Sequence, residues 1–529
     1  MVDSDAGRAP TAAVSVADVA AFLQTKVIGP ADAGRLALRD LVDDSRVLRP
    51  GDAYVAIPGT RWHGLDFENE AVAAGAVLAI SDRPSSVLPT LIVDNPRAVV
   101  GPLAAWFHQR PSRRVRVFGV TGTNGKTSTA HFIEAGLAAA GECTGLISGA
   151  RIQGPNWGLI PTRTTPEAAT LQRTLAHFHR EGVSACAVEV SSHAIAQRRV
   201  DGTKFRAMAF TNLSHDHLDY HGTMQAYFAT KASMFTSDRT QIAVVNVDDA
   251  HGARLASNTT VPTWTCSTVD PSADVYAEDV VCTESGSRFT ACTPAGTAGV
   301  CLQTLGPHQV SNAVVALTSL IADGIDPIAA AEGVSFLTAI TGRCKPVHAG
   351  QRFTAIVDYM HNTAGQRTLL PYLRQLTKRR LILVVGASGS RDPSKRRPLG
   401  QVAATYADTV IVTDESPEDD DPAVLRRDVL AGARRARHAH VIEEPNRHRA
   451  LELAVSAARP GDVLVVAGRG SDTTLRRGSH TSHFDDHAQL HQIITAAIGT
   501  RGPTAAELAR RGRATTSVWV RNSPGTSRE

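Results

Sequence analysis

Short β-branched and aliphatic runs alternate with stretches of helical period along almost the whole chain. Residues 53–57 (Ala-Tyr-Val-Ala-Ile) are one such run, closed by Pro58-Gly59; residues 67–74 then carry helical spacing up to Gly75, and 76–80 and 90–93 are further strand-like runs. Longer runs follow at 186–190, 207–212 and 243–247, with helical stretches between them. Apolar runs with little polar alternation are buried on both faces, which predicts a mostly parallel sheet covered by helices. Residues 275–300 differ, being rich in Thr and Val with Gly-Ser and Pro-Ala-Gly turns, and predict an antiparallel insertion. A new unit begins near Lys345, with strands at 355–359, 381–385, 409–413 and 463–466 in a doubly wound order.

The fold class is therefore α/β, and a chain of 529 residues should hold about three domains. Breaks in the pattern give a disordered Ala/Asp/Pro-rich start (1–15), an N-terminal domain (16–112), a central domain (113–343), a C-terminal Rossmann-like domain (344–500) and a disordered Arg/Ser/Thr tail (501–529), with a linker near Pro111-Ser112-Arg113-Arg114. A net charge of +4 gives no electrostatic case for nucleic acid or a membrane surface. The basic triplets Lys378-Arg379-Arg380 and Lys395-Arg396-Arg397 read as solvated surface unless a loop motif accompanies them. Seven scattered cysteines, never spaced C-x-x-C, argue against a disulfide framework or structural zinc. No signal peptide is visible and no apolar run is long enough to span a bilayer, so a cytoplasmic protein is expected.

Candidate chemistry starts at Val115–Thr127. A β-branched run enters Gly119-Val120-Thr121-Gly122-Thr123-Asn124-Gly125-Lys126-Thr127, and residues 128–140 read as a helix. Strand, glycine loop, Lys-Thr, helix is the construction of a phosphate-binding loop: backbone N–H groups and the helix N-terminus face the phosphates. Lys126 would reach the terminal phosphates and Thr127 would hold Mg²⁺. Val120 stands where G-x-x-x-x-G-K-[ST] asks for glycine, so an ordinary tight turn before a helix stays open as an alternative. Glu189 ends an apolar strand, as a capping or salt-bridging acid or as a Mg²⁺ ligand where parallel strands meet a nucleotide. Ser214-His215-Asp216-His217-Leu218-Asp219 puts two histidines and two aspartates past the next strand, suited to metal and phosphate handling. Lys231, on a helix over 227–235, would by itself be a surface residue.

Together, Thr121-Gly-Thr-Asn-Gly-Lys-Thr127, Thr164-Thr165-Pro166, Glu189-Val-Ser-Ser-His193, Thr211-Asn-Leu-Ser-His-Asp-His-Leu-Asp219 and Lys231 resemble the Mur ligases. The Val120 anomaly is then a family marker. Asp44-Ser45-Arg46, Val200-Asp201-Gly202, Asp219-Tyr-His-Gly-Thr-Met224 and Gly386-Ala-Ser-Gly-Ser-Arg-Asp392 resemble the branch that extends a UDP-N-acetylmuramoyl dipeptide to a tripeptide. The resemblance covers residues 40–495 and implies an N-terminal UDP-binding domain, a central ATPase and a C-terminal domain that receives the amino acid. It implies an ATP- and Mg²⁺-dependent, ADP-forming ligase working through an acyl phosphate. A monomer is expected, with a UDP-linked muramoyl dipeptide and a free amino acid as its partners. Residue by residue, Lys126, Glu189, His217 and Lys231 would be catalytic. Gly122, Thr123, Asn124, Gly125, Lys126, Thr127, Asn312, Arg343 and Asp358 would hold ATP. Thr127, Glu189, His217 and Lys231, carbamylated by CO₂, would hold metal. Ser45, Thr164, Thr165, Ser192, Gln197 and Arg199 would line the path of the muramoyl peptide.

The acceptor side departs from the family. The branch that adds diaminopimelate carries Asp-Asn-Pro-Arg, whose arginine grips the distal carboxylate; here Asp414-Glu415-Ser416-Pro417-Glu418 is followed by Asp419, Asp420 and Asp421. Gly468-Arg469-Gly470-Ser471-Asp472 replaces Gly-Lys-Gly-His-Glu, Lys345 replaces a frequent glutamate, and Asp358-Tyr-Met-His-Asn-Thr363 lacks the usual Ala and Thr-Pro. A glutamate at 418 repels a carboxylate and attracts an ammonium, so the expected acceptor, lined by Arg391, Asp414, Ser416, Glu418, Gly468 and Asp472, is basic rather than diaminopimelate. A solvent-facing Glu418 is the alternative. So are a paralogue joining another amine in specialised metabolism and a catalytically idle protein with the ligase fold.

Overall fold

The computed structural model describes residues 14–59 and 61–500. Three sheets follow one another along the chain. The first has five strands in the order Val27–Ile28, Thr90–Ile92, Leu78–Ser81, Ala53–Val55, Leu41–Val42, parallel except for the outer pair Val27–Ile28/Thr90–Ile92. Helix Pro96–Phe107 covers it, started by Pro96 and by the Asn95 side chain, which accepts from the Ala98 N–H. The segment Gly64–Phe67 is a 3₁₀ turn and the helix after it runs Glu68–Ala73, because His63 and Asp66 cap the turn reciprocally and set the start back. Val14–Ser15, expected to be disordered, form a short strand against Ala37–Leu38, and Ser15 caps helix Val16–Leu23. Residues 1–13 and the tail 501–529 lie outside the described residues.

Pro111-Ser112-Arg113 is a packed 3₁₀ turn with Pro111 buried, rather than a loose linker. It leads into the central sheet of eleven strands. Seven are parallel neighbours in the order Thr144–Ile147, Ala185–Glu189, Arg116–Thr121, Phe205–Phe210, Thr240–Asn246, Thr263–Ser267, Val275–Thr283. Val275–Thr283, Gly286–Thr293 and Gly296–Leu302 are the predicted antiparallel strands, yet they extend this same sheet rather than form a separate insertion. Helix Lys126–Ala139 packs on one face with Pro307–Ala322; their contact buries Phe132, Ile133, Leu137, Leu317 and Leu320. The other face buries Phe178, Phe205, Phe210 and Tyr227.

The third sheet has the order Lys345–Pro346, Thr354–Asp358, Val463–Ala467, Leu381–Val385, Thr409–Val412, His440–Glu443, with all pairs parallel but the first. It meets the central sheet at Cys282, which packs against both cores, and at Tyr372, whose hydroxyl donates to the Thr283 carbonyl at 2.5 Å. The carboxyl ends of the central and third sheets face one crevice, the place where open parallel sheets bind ligands.

Candidate active site

Strand Arg116–Thr121 delivers the glycine loop to the crevice, and two glycines there have no substitute. A Cβ on Gly122 (φ +149°) would lie 1.9 Å from Thr211 Oγ1, and one on Gly125 (φ +88°) 2.2 Å from Asn312 Oδ1. The loop is held open by its neighbours: Thr211 Oγ1 donates to the Asn124 carbonyl at 2.7 Å, and the Asn124 N–H donates to Asn212 Oδ1 at 3.0 Å. Lys126 and Thr127 form the first turn of the helix, one residue pair earlier than the sequence suggests. Lys126 Nζ donates to the Thr123 carbonyl at 2.8 Å; burial pulls its ammonium below the usual lysine range, with Glu189 and Asp216 pulling the other way. A cavity of about 370 Å³ opens beside the loop, lined among others by Asn124, Thr127, Asn312, Arg343 and Asp358.

Glu189 is buried, and its Oε2 accepts from Thr127 Oγ1 and from the Gly149 N–H, both at 2.9 Å. It is thus a member of the phosphate-loop site, not a helix cap. His217 takes left-handed backbone (φ +55°), its Nδ1 is buried without a hydrogen-bond partner, and burial drives its pKa down to about 2. A neutral imidazole with an unpartnered ring nitrogen suits a cation site. Among the described residues no three His, Cys, Asp or Glu side chains converge as a closed cage. That still fits Mg²⁺, which takes few protein ligands and keeps phosphate oxygens and water.

Lys231 is not on the surface. It is 1% exposed, its Nζ donates to the Gly122 carbonyl at 2.7 Å, and it lies 4.6 Å over the Tyr227 ring. Burial, with Lys126 nearby, holds it well below the ordinary lysine value, which disfavours the charged form under the loop.

From the other side of the crevice, Arg343 Nη2 donates to Thr127 Oγ1 at 2.9 Å while its guanidinium lies 4.3 Å over the Tyr359 ring. Asp358 accepts from the Cys344 and Met360 N–H groups at 2.6 and 2.8 Å. Asn312 Nδ2 donates to Gln309 Oε1 at 3.1 Å. Thr165 Oγ1 donates to the Glu189 carbonyl at 2.7 Å, Thr164 flanks Gly149, and Ser192 Oγ shares a 3.0 Å hydrogen bond with His221 Nε2. Arg199 is buried between Gln197 Oε1 (2.5 Å) and Glu167 (3.1 Å). Ser45 opens a 3₁₀ turn in the N-terminal domain, capped by Asp44.

The acceptor-side residues sort differently. Asp414 is buried and already paired to Arg426 and Arg477. Glu418, in left-handed backbone (φ +55°), bridges to Arg476 at 3.0 Å, and Arg476 also holds Asp419 at 3.1 Å. Glu418 is therefore half-exposed and already ion-paired, rather than a free charge. Arg469 is 1% exposed and donates to the Glu415 and Asp472 carbonyls and to Ser416 Oγ, so it braces the loop from inside. Arg391 is exposed at the crevice, near enough to act electrostatically on His193 and Tyr359; Asp472 is exposed as well. Sequence reasoning passed over Glu415. It is buried, its Oε1 accepts from Ser388 Oγ at 2.6 Å, and its Oε2 has no hydrogen-bond partner. Gly468 (φ +107°) makes room for it, since a Cβ there would come 2.2 Å from Oε2. One acid among six between 414 and 421 carries no signal of its own in the sequence.

Comparison with known proteins gives the same site a context. Three family models match in succession: "Mur ligase family, catalytic domain" over residues 42–108, "Mur ligase middle domain" over 120–320 and "Mur ligase, glutamate ligase domain" over 342–470. A Streptomyces coelicolor protein named UDP-N-acetylmuramoyl-L-alanyl-D-glutamate–2,6-diaminopimelate ligase is 39% identical over 478 residues, covering 88% of this chain and 94% of that protein. The Corynebacterium glutamicum protein of the same name is 39% identical over 496 residues, covering 90% and 95%. A solved structure with that name superposes at TM-score 0.62 with 27% identity, covering 92% of this chain and all of that one. MurF from Acinetobacter baumannii shares the fold at TM-score 0.67 and 18% identity, covering 87% and 96%. No helix among the described residues is long and apolar enough to cross a membrane. The chain belongs to the Mur ligase family, the ATP- and Mg²⁺-dependent ligases of peptidoglycan synthesis that join an acid to an amino acid.

Proposed function

We propose that this ligase adds a basic amino acid, not diaminopimelate, to the terminal carboxylate of a UDP-N-acetylmuramoyl-L-alanyl-D-glutamate. The dipeptide half of this reading rests on the relatives, which are named for that substrate at 39% identity over nearly the whole chain. The acceptor half rests on one observation. Where the diaminopimelate branch offers an arginine, this chain has Glu418 already bridged to Arg476, and behind it the buried Glu415 has an oxygen without a partner. An acceptor ending in an ammonium would meet no unpaired cation on this loop; one ending in a carboxylate would find no free arginine there.

The reaction follows from the residues. The dipeptide carboxylate, a poor electrophile, attacks the γ-phosphorus of ATP; the bond to ADP breaks and an acyl phosphate forms. Lys126 sits where negative charge gathers between two anions, and Arg343 approaches from the opposite domain. Thr127, Glu189 and His217 would hold Mg²⁺, with Lys231 joining them if carbamylated, and the ion would supply charge neutralisation at the phosphates. Thr164, Thr165, Ser192, Gln197 and Arg199 orient the muramoyl peptide toward the loop. The incoming amine attacks the acyl carbon, phosphate leaves, and the amine gives up its proton. The crevice between the domains excludes the water that would otherwise hydrolyse the acyl phosphate.

A second reading has support of its own, because every curated relative named above is a diaminopimelate ligase. Measuring ADP release with the UDP-linked dipeptide and L-lysine, L-ornithine or meso-diaminopimelate separates the two. Turnover with lysine or ornithine at least tenfold above that with diaminopimelate is expected, about the worth of one charge-assisted contact. Efficient turnover with diaminopimelate alone would overturn the acceptor assignment and leave the ligase standing.

A further inference from the structure

The sequence singles out His215–Asp219 for its chemistry, and the ligase mechanism absorbs His217 but leaves Asp216 without a task. Asp216 is 1% exposed in the central domain, and almost everything that satisfies it comes from the C-terminal domain. Its Oδ2 accepts from Asn362 Nδ2 at 3.0 Å and shares a 3.1 Å hydrogen bond with His361 Nε2; Lys395 Nζ stands 3.6 Å from Oδ1. From its own side come the His217 N–H, at 3.0 Å, and His217 Nε2, 4.0 Å from Oδ2. Lys395 belongs to one of the basic triplets, and here it is 6% exposed and buried in this contact rather than solvated.

Asn362 goes further. Its amide pairs with the Asn124 amide of the phosphate-binding loop, Nδ2 to Oδ1 at 3.1 Å and Oδ1 from Nδ2 at 3.4 Å. The same Oδ1 accepts from the Gly365 N–H at 2.9 Å and so caps helix Thr363–Leu376. One 1%-exposed side chain thus ties the helix of the C-terminal domain, the buried acid of the central domain and the glycine loop together. A threonine, which the family pattern usually has here, offers a single hydroxyl on a shorter arm and cannot serve all three partners at once.

We propose that Asp216, Asn362 and Lys395 form a latch of positioning residues that fastens the C-terminal domain to the phosphate-binding loop, so that the acyl phosphate meets the amine before it meets water. The latch acts by holding the amino-acid domain in register with the loop. A carboxylate that is buried only when the domains meet loses three partners when they part, so the closed state alone satisfies it. The inference rests on the ligase reading but not on which amino acid is added.

Asn362→Thr, Asp216→Asn and Lys395→Met test it, with circular dichroism and Tm confirming that each folds. In the native chain about one ADP should be released per amide formed. Asn362→Thr should raise that ratio about fivefold, the worth of one lost buried hydrogen bond. The acceptor KM should rise, while ADP release in the absence of acceptor stays within about twofold. A purely structural role would not move that ratio. X-ray scattering with ADP bound should show a larger radius of gyration for Asn362→Thr and Lys395→Met than for the native chain. A ratio unchanged in all three variants, or scattering curves that superpose on the native curve, would overturn the latch. If no acceptor supports turnover, the scattering measurement still decides the latch on its own, separately from the acceptor assignment.

Discussion

The two walls of the crevice are built from the same fold plan but obey different constraints. On the nucleotide wall the side chains have plain geometric reasons: Gly122 and Gly125 cannot carry a Cβ, Thr127 and Glu189 share a hydrogen bond, and Lys231 lies under the loop. On the acceptor wall the residues of the family pattern are replaced, and their charges are re-paired among themselves, Glu418 with Arg476 and Asp414 with Arg426 and Arg477. The difference teaches that the chemistry and the choice of amine are separable. Phosphate geometry is fixed by the substrate and leaves little freedom, whereas an amino-acid pocket can trade ion pairs as long as its buried charges stay matched.

The contrast is broken most severely at Lys126. Lys126→Ala should lower ADP release by roughly 10²–10³-fold with every acceptor tested, as for loss of one group that stabilises developing charge. A loss confined to one acceptor would mean that the two walls are not separable. The next test is acid. His131, on the loop helix, is held neutral with its pKa near 4 because it is buried, although its hydrogen bond to the Thr127 carbonyl opposes this. The unfolded chain protonates such a histidine near pH 6.5, so the folded state binds fewer protons between about 4 and 6.5, and stability should fall as pH drops through that window. Urea melts at pH 7.5 and 5 should differ less in His131→Asn than in the native chain, by up to about 2 kcal/mol. An equal loss in both would place the acid sensitivity elsewhere.

Smaller effects belong to the acceptor wall. Glu415→Gln keeps the shape and removes the charge; kcat/KM for lysine or ornithine should fall about tenfold, with ADP release in the absence of acceptor unchanged. Rates untouched for every acceptor would remove Glu415 from recognition. Arg476→Ala should matter least, since its bridge to Glu418 is half exposed and worth under about 1 kcal/mol. A shift in acceptor preference of more than about fivefold would show that Glu418, once freed, does read the amine.

Much of the nucleotide site was legible in the sequence because backbone requirements leave residue signatures: glycine where a Cβ collides, threonine next to the loop lysine, an acid at a strand end. The strand runs were equally legible, with ends off by one or two residues, and the helix expected over 67–74 starts late because His63 caps the turn before it. Lys231 was misleading taken alone, since a lysine on a short amphipathic helix looks solvated; only its partner Gly122, 109 positions away in the chain, accounts for its burial. The same holds for Glu418, whose neutralising Arg476 lies on the hairpin Thr474–Arg477/His480–His483, and for Glu415, whose importance comes from being buried with one oxygen unpaired.

By itself, then, the sequence announced a phosphate-binding loop, because its glycines, lysine and threonine are local constraints written in consecutive residues, and its resemblance to the Mur ligases implied that ATP is spent on a carboxylate. Only the tertiary structure decided which charges are already paired and which residues meet across the domains. Both depend on pairings between side chains more than a hundred positions apart, such as Asp216 with Asn362, or across separate loops of one domain, and a buried charge is defined by its partners rather than by its place in the chain.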